Sequence, residues 1–433
     1  MNTKAAGRRR FEGYLECLRN AVGHVDRWRP LEAYLTGLLL SGERKSVEPM
    51  AAKVEPRQVS RAHQSMHHFV ADAPWDDDAV LAVARDHALA QLERHAPVAA
   101  WVIDETSVPK KGKHSVGVAA QYCGALGKTA NCQVAVTLSL VNETMSVPAA
   151  WRLYLPEAWA GDAERRQRAG VPEEMRFLRK WEIALAEIDR LLADELPPAP
   201  VVADAGYGDT TEFREALTGR GFSYVVGIKG ETTLWAPGTG PLPPAGYTGR
   251  GRPPTRVRRS AEHRPVSARQ LAQQLPASAW REVRWREGTR GAMKSRFAAV
   301  RVRPAHRDEL RSEARPVEWL LIEWPNGEPE PTKYWLSTVP EDVEPRELIS
   351  LAKIRWRIER DYQELKDELG LDHYEGRGWR GFHHHGVLCI AAYAFLAAER
   401  GRLSPPQAVA FLQPAPLPRG FTPRGAPRPA GAA

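Results

Sequence analysis

The chain has 433 residues, of which 43% are hydrophobic and 26% are charged. These ordinary globular values exclude a fully disordered, collagen-like or fibrous chain, and the length predicts two to four domains. The formal net charge is +8, but it is unevenly distributed. Residues 250–315 contain 18 Lys and Arg against 6 Asp and Glu, so this segment carries the whole excess. Such a concentrated basic segment favours a polyanionic partner such as nucleic acid.

Cysteine usage and apolar runs indicate the compartment. The 4 cysteines are scattered and form no CxxC pair, so neither a disulfide scaffold nor a thiolate zinc site is expected. The N-terminal segment becomes charged directly after its arginines, where a secretory signal would be apolar. The longest apolar run, 387–398, is too short to span a bilayer and predicts a buried helix. We therefore expect a cytoplasmic protein with no membrane contact.

The predicted elements begin with helices over residues 10–95, where apolar side chains recur at helical spacing. Short strands and helices follow in the order β-β-β-α-β-α-β, which is that of an RNase H-like core. Their predicted ranges are 99–104, 116–123, 131–141, 173–192, 199–204, 209–218 and 222–228.

A second β-rich region follows this core. Residues 230–254 are rich in Pro and Gly and predict an exposed loop. Two hairpins are then expected, with strands over 280–287 and 296–303 and over 319–324 and 333–338. Helical periodicity returns over 345–370 and 386–400. The tail from residue 404 is rich in Pro, Ala and Gly and is expected to be disordered.

The predicted fold class is therefore α/β, with an RNase H-like core, a mainly β insertion, an N-terminal helical domain and a C-terminal helical extension. We expect five units, namely the N-terminal helical domain (1–95), the first part of the core (96–229), the basic insertion (230–338), the completion of the core with its helices (339–402) and the tail (403–433).

Three acids on three of these elements are candidates for metal binding. Asp104 ends the first predicted strand and Asp204 the fourth, and these strands are neighbours in an RNase H-like sheet, so the carboxylates meet at one edge. Oxygen ligands of this kind suit Mg²⁺. Glu359 shares a helix face with Arg355 and Lys366, which would grip phosphate oxygens while Glu359 binds the metal. Ordinary ion pairs on the helix, and turns at the two aspartates, are the alternative explanation.

At these residues the sequence resembles bacterial insertion-sequence transposases of the DDE superfamily, in the subgroup with a β-strand insertion between the second Asp and the Glu. The resemblance extends from about residue 20 to 400. Its carriers are WVIDETSVPKKGKHSVGVAAQYCG around Asp104, ADAGYGD around Asp204, WRLYLPEAW, and RWRIERDYQELKDELGLDHYEGRGWRGFHHH around Glu359.

The subgroup's signature is Tyr, two residues, Arg, three residues, Glu, six residues, Lys. Arg355, Glu359 and Lys366 fit this spacing, whereas Ala352 stands at the tyrosine position. In the subgroup that tyrosine helps to hold a phosphate near the cleaved end. A DNA-hairpin intermediate is therefore not implied for this chain.

The resemblance implies a transposase that cleaves and joins DNA at the terminal inverted repeats of an insertion sequence. Asp104, Asp204 and Glu359 would hold two Mg²⁺ ions, with Mn²⁺ able to substitute. The N-terminal domain (1–95) would bind the double-stranded terminal repeats. Two copies of the chain would form a homodimer in the synaptic complex and act on target DNA.

Further cations and aromatic residues are expected along the DNA. Lys110, Lys111 and Lys113 follow the first Asp closely and would lie near phosphates. In the insertion, tryptophans are interleaved with cations, and a base could stack there, the candidates being Trp285, Trp335, Arg284 and Arg286.

The three histidines 383–385 follow the glutamate helix. Because three consecutive side chains cannot all face one site from a regular helix, we expect loop or cap positions for them.

Two other functions remain open at this stage. One is an RNase H-like nuclease that cuts DNA without joining it. The other is a transposase-derived protein that binds DNA without catalysis.

Overall fold

The computed structural model describes residues 3–249, 251–288 and 291–403. Residues 289–290, within the Gly288–Gly291 turn that is expected between the strands of the first hairpin, and the predicted disordered tail from residue 404 lie outside the described residues. The helices, in chain order, are α1 Thr3–Val22, α2 Trp28–Leu39, α3 Val47–Val54, α4 Val59–Ala71, α5 Asp77–Leu92, α6 Glu157–Ala160, α7 Ala163–Ala169, α8 Lys180–Ala193, α9 Ala205–Gly208, α10 Thr211–Gly219, α11 Ala268–Gln274, α12 Pro345–Lys353, α13 Trp356–Asp367 and α14 Trp379–Leu403.

The strands, in chain order, are β1 Ala100–Pro109, β2 Ala119–Cys123, β3 Lys128–Val141, β4 Ser146–Leu153, β5 Val201–Ala203, β6 Tyr224–Ile228, β7 Thr233–Trp235, β8 Val266–Ser267, β9 Arg281–Gly288, β10 Gly291–Pro304, β11 Glu318–Trp324 and β12 Lys333–Ser337.

The centre of the fold is a mixed sheet in the order β4-β3-β1-β5-β6. Its first three strands pair antiparallel, whereas β1, β5 and β6 pair parallel. The α/β class is thus confirmed, and β1 and β5 are neighbours, as the prediction required. Parallel pairing matters here because β1 and β5 run in the same direction, so the residues that follow their paired positions lie side by side.

One strand of this sheet was missed in the sequence analysis. The predicted second strand, β2, forms only a short hairpin with the start of β3, and β4 takes its place in the central sheet. Nearly every residue of β4 is buried, since α5 and α14 cover it on one side and α8 also contacts it. A strand buried in this way shows no alternation of apolar and polar residues, which is the pattern that was sought.

The hairpins of the basic segment extend the same sheet. β12 pairs antiparallel with β6, β11 with β12, and β10 with β11, so the sheet continues without interruption from the core. β9 and β7 then pair with β10. The side chains of these hairpins are therefore held in fixed register beside the core strands.

The helix predicted over 345–370 is broken into α12 and α13, with Ile354 and Arg355 between them. The helix predicted over 173–192 is also shorter and begins at Lys180. In both cases the apolar periodicity continues through a segment that does not continue the helix.

The long apolar helix α14 is the core of the C-terminal half. It is long and apolar enough to cross a membrane, but 89% of its most apolar window is buried inside the protein. This agrees with the predicted buried helix. Gly386 is required where α14 crosses β4, because an added Cβ would lie 2.2 Å from Nε1 of Trp151.

The three histidines lie inside α14 and are buried, so the predicted loop or cap positions are wrong. His383 ties the helix to β4, since its Nε2 accepts the N–H of Leu153 at 3.3 Å. His384 lies between the carbonyls of Val70 and Trp75, each 3.1 Å from a ring nitrogen.

His385 joins α14 to two other segments. Its Nδ1 is 2.8 Å from the Tyr34 hydroxyl of α2, and its Nε2 is 2.9 Å from the Gly370 carbonyl that follows α13. Successive helical residues point about 100° apart, so three adjacent histidines can each reach a different neighbour. They fasten the N-terminal helices to the rest of the fold.

We predict that the folded state, which these buried histidines stabilise, becomes less stable in acid. Burial lowers the pKa of His385 to about 4 and that of His384 to about 3, below the ordinary 6.5. Since the unfolded chain takes up these protons at higher pH, the stability is present above about pH 6.5 and is lost as the pH falls below it. Between pH 7 and 5 the free energy of unfolding should fall by about 2 kcal/mol for each ring, measured by urea titration.

The variant His385→Gln should reduce this pH dependence, whereas His67→Gln, on the exposed side of α4, should not. An identical pH dependence in wild type and His385→Gln would contradict the assignment.

Candidate active site

The first aspartate lies within β1 rather than at its end. Asp104 is opposite Thr137 of β3, and the strand continues to Pro109. The prediction that Asp104 ends its strand is therefore wrong. Burial raises the pKa of the Asp104 carboxyl, against the lowering effects of Arg355 and of the Glu105 N–H, which donates to Oδ1 at 2.8 Å.

The second aspartate follows β5 directly. Trp101 pairs with Val201 and Val102 with Val202, so continuing this register brings Asp104 opposite Asp204. Oδ1 of Asp204 accepts the N–H of Gly206 at 2.8 Å and so caps the short helix α9.

The chain after Asp204 passes close to β6. An added Cβ on Gly227 would lie 2.8 Å from the Ala205 nitrogen and 3.1 Å from the Asp204 carbonyl carbon. The absence of a side chain at residue 227 is thus what allows this backbone approach.

Arg355 joins the two aspartates. Its Nη2 is 2.9 Å from Oδ2 of Asp104 and 3.8 Å from Oδ2 of Asp204, so the two carboxylates lie side by side at one guanidinium. Burial lowers the pKa of Arg355, but the carboxylates of Asp104, Asp204 and Glu359 raise it by more. The pKa of Arg355 is therefore above its ordinary value. The structure therefore brings together two predicted acids and one predicted cation.

Glu359 lies one helical turn beyond Arg355 and is exposed. It lines two clefts, a larger one of about 1080 Å³ with Asp204 and a smaller one of about 340 Å³ with Asp104. Across the described residues, however, no three Asp, Glu, His or Cys side chains are close enough together to hold a metal ion. Glu359 thus borders both clefts, but its carboxylate does not form a three-residue cluster with Asp104 and Asp204.

Lys366 lies at the far end of the smaller cleft. Its Nζ donates to the Ser107 carbonyl of β1 at 3.0 Å. Burial lowers the pKa of the Lys366 ammonium, and this effect exceeds the raising effect of the nearby carboxylates of Asp372 and Asp367.

Nearby acids have other partners. Glu105 forms an ion pair with Lys180 of α8 at 2.5 Å. Asp209 accepts the Thr232 hydroxyl at 2.7 Å and pairs with Lys229 at 3.2 Å. Asp209 therefore belongs to the surface beyond α9 and not to the aspartate pair.

The three predicted loop lysines lie in different environments. Nζ of Lys110 donates to the Tyr374 carbonyl at 2.5 Å, so this residue fastens the loop to the segment after α13. Lys111 and Lys113 are exposed.

The predicted insertion residues line the larger cleft, except for Arg284. Trp285, Arg286 and Trp335 face the cleft, whereas Arg284 is exposed on β9. The pairing of β9 with β10 shifts between Met293 and Lys294, which leaves Trp285 without a partner residue opposite. A bulge of this kind turns a side chain away from the regular alternation, and here Trp285 and Arg286 line the same cleft.

Two residues in this cleft were missed in the sequence analysis. Lys353 forms a buried ion pair with Glu323, and its Nζ lies 4.7 Å from the ring centroid of Trp285. Trp356 faces the guanidinium of Arg286, whose carbon is 4.0 Å from the ring centroid. Their only signal was proximity to Arg355 in the sequence, which does not distinguish them from ordinary helix residues.

Paired carboxylates on neighbouring parallel strands, with cations beside them, suit metal-dependent chemistry on phosphate esters. Residues 17–292 match the sequence profile of the DDE superfamily endonucleases, and the chain belongs to this family. The family match ends before the helix that carries Glu359.

A curated relative supports the same assignment. The chain is 27% identical over 317 residues to a protein of Microchaete diplosiphon described as a probable transposase for insertion sequence element IS701. The aligned region covers 72% of this chain and 69% of the relative.

Enzymes of this superfamily use divalent metal ions, which prefer hard oxygen ligands. Asp104 and Asp204 present such oxygens side by side at the Arg355 guanidinium. The donor chemistry of the aspartate pair therefore fits a divalent cation.

We predict that Arg355 competes with the metal. Removing its positive charge in Arg355→Met leaves two uncompensated carboxylates, so Mn²⁺ should bind roughly 10-fold more tightly in the absence of DNA. Isothermal titration calorimetry or the electron paramagnetic resonance signal of free Mn²⁺ would measure this. Arg360→Met is the matched control, because Arg360 lies in the adjoining helix α13 and pairs with Glu364 at 3.3 Å. Unchanged or weaker Mn²⁺ binding in Arg355→Met would refute the competition.

Proposed function

We propose that the protein is a transposase that cleaves and joins DNA at the terminal inverted repeats of an insertion sequence by metal-dependent phosphoryl transfer. The observation that carries this proposal is the pairing of Asp104 with Asp204 at Arg355, with Glu359 and Lys366 on the adjoining helix face. Membership of the DDE superfamily endonucleases supports it.

The proposed ligands are Asp104, Asp204 and Glu359, for two Mg²⁺ ions that Mn²⁺ could replace. Bound metal would activate water, and later a DNA 3′-hydroxyl, and would stabilise the leaving oxygen. Glu359 is exposed one helical turn beyond Arg355 and lines clefts with both aspartates, and we propose that its carboxylate moves to complete the set when metal binds.

The proposed phosphate ligands are Arg355 and Lys366. When the aspartates turn to a metal, the Arg355 guanidinium loses its partners in a half-buried place and needs another anion. The scissile phosphate supplies one. Lys366 binds only a backbone carbonyl, so its ammonium remains available to a second phosphate oxygen.

The larger cleft would hold the DNA strand that leaves the cut. Trp285 and Trp335 line it together with Asp204 and Glu359, within the part of the sheet that β12 joins to β6. A base displaced near the cut could stack there, while Arg284, Arg286, Lys110, Lys111 and Lys113 would contact or position the backbone.

The N-terminal domain (1–95) would bind the terminal repeats, and two copies of the chain would bring two ends together with target DNA. Its helices are fastened to the core through α14 and the three buried histidines. End binding and cleavage would therefore occur on one connected structure.

We predict that Asp204→Asn abolishes cleavage but not end binding. An amide cannot replace a carboxylate opposite a divalent cation, so Mg²⁺-dependent cutting of a terminal-repeat duplex should fall by roughly 10³-fold or more. A gel assay measures cutting and joining, and fluorescence anisotropy measures binding. Asp209→Asn is the matched control, because Asp209 is held by Thr232 and Lys229 outside the aspartate pair.

Three outcomes would count against the proposal. Equal loss of binding and cutting in Asp204→Asn would indicate a structural role for the residue. Cutting by the wild type without joining of 3′ ends would indicate a nuclease. Full activity in Asp204→Asn would remove the aspartate from the chemistry.

A further inference from the structure

Helices α2, α3 and α4 form a compact three-helix unit. α3 ends at Val54 and α4 begins at Val59, and the Gln58 N–H donates to the Glu55 carbonyl at 3.0 Å in the turn between them. α2 and α3 pack closely, since an added Cβ on Gly37 would lie 2.8 Å from Cβ of Met50. Two helices joined by a four-residue turn and packed against a third follow the element order of a helix-turn-helix.

The second helix of this unit has one apolar and one polar side. Met66, Phe69 and Val70 are buried against the neighbouring helices. The exposed residues of α4 all carry hydrogen-bonding side chains, and they are Ser60, Arg61, Gln64, Ser65, His67 and His68. α4 contains no acidic residue, whereas α1, α2, α3 and α5 each contain at least one.

The exposed side chains of α4 can form hydrogen bonds with the edges of base pairs. Arginine makes paired hydrogen bonds with guanine in the major groove, glutamine does so with adenine, and serine can serve either. In a helix-turn-helix the bases are contacted by the N-terminal part of the second helix. Arg61 and Gln64 lie in the first two turns of α4 on its exposed side. Arg61 is held only weakly within the turn, its Nη1 being 3.4 Å from Oε1 of Gln58.

A series of contacts leads from the end of α4 to the strand that carries Asp104. Nη1 of Arg380 donates to the Asp72 carbonyl at 2.8 Å, directly after α4. The same segment, through the Tyr374 carbonyl, holds Lys110 at the end of β1. Arg44, which precedes α3, pairs with Glu375 in this segment.

Exposed cations lie along this series of contacts between α4 and β1. Lys111 and Lys113 follow Lys110, and Arg377 lies in the segment that Lys110 contacts. A duplex bound at α4 therefore meets positive charge on its way to the candidate active site, which is the charge complementarity that a DNA backbone requires.

We propose that α4 is a DNA-recognition helix whose Arg61 and Gln64 read base pairs in the major groove of the element's terminal sequence. Lys111, Lys113 and Arg377 hold the backbone between that position and the aspartate pair. This inference rests on the proposed function for its choice of ligand, and it assigns base reading to one helix of the N-terminal domain.

The test uses the full chain and two labelled duplexes of equal length and composition, one with the terminal sequence that flanks the gene and one scrambled. Fluorescence anisotropy at a fixed salt concentration near 0.15 M measures the preference between them. Arg61→Ala and Gln64→Ala should each reduce this preference roughly 5- to 150-fold while leaving scrambled-duplex binding within about twofold of wild type.

Matched controls come from exposed residues of the same types on other helices. Arg168→Ala on α7 and Gln273→Ala on α11 should keep the wild-type preference. Circular dichroism of each variant checks its fold. Methylation of guanine N7 provides a second measurement, because interference at one position should disappear in Arg61→Ala alone.

The inference is overturned if both α4 variants keep the wild-type preference, if they weaken both duplexes equally, or if the wild type has no preference. Failure of the proposed function is seen separately. A wild type that prefers the terminal duplex but never cuts it would contradict the proposed transposase activity without contradicting the role of α4. A wild type that cuts, with preference unchanged in Arg61→Ala and Gln64→Ala, would overturn α4 alone.

Discussion

The candidate active site depends on the guanidinium of Arg355, which lies between two aspartates on parallel strands. The register of β1 and β5 forces Asp104 and Asp204 together, and burial already raises the pKa of Asp104. Without a cation between them the two carboxylates would repel each other in a poorly solvated place. Arg355 supplies that charge because α12 ends just before it and turns the chain toward the sheet. The interaction between Arg355 and the two aspartates is therefore also one that a bound metal and a phosphate would rearrange, which would link metal binding to DNA binding.

The continuous sheet determines what surrounds this centre. Because β12 pairs with β6, the basic hairpins are in register with the strand next to Asp204. The bulge at Trp285 then places an aromatic ring and the Arg286 guanidinium together in the larger cleft. On the opposite side, α14 and its histidines hold the N-terminal helices against β4. Base stacking, phosphate contact and end recognition would thus be positioned by one framework.

Much of this arrangement could be predicted from local patterns, and the rest depends on contacts between distant segments. The hairpins over β9–β10 and β11–β12 were predicted from their sequence, with strand ranges close to those observed. The completely buried β4 gave no alternation, and the break at Arg355 interrupts a helix whose apolar periodicity continues across it. The aspartate pair followed from strand order, but the ion pair with Arg355 did not, since Arg355 was expected to bind phosphate. The buried histidines were misplaced because each has a partner between 15 and more than 300 residues away, which no local pattern reveals.

The central claim is that Asp104, Asp204 and Glu359 bind divalent metal at one place. Fe²⁺ can replace the metal and, with ascorbate and peroxide, cleave the polypeptide beside its own ligands. Mass spectrometry of the fragments would locate these cuts. The account predicts cuts clustered near residues 104, 204 and 359, all suppressed by excess Mg²⁺. Cuts confined to other segments, or cuts near 104 and 204 that never include 359 even with terminal DNA bound, would contradict it.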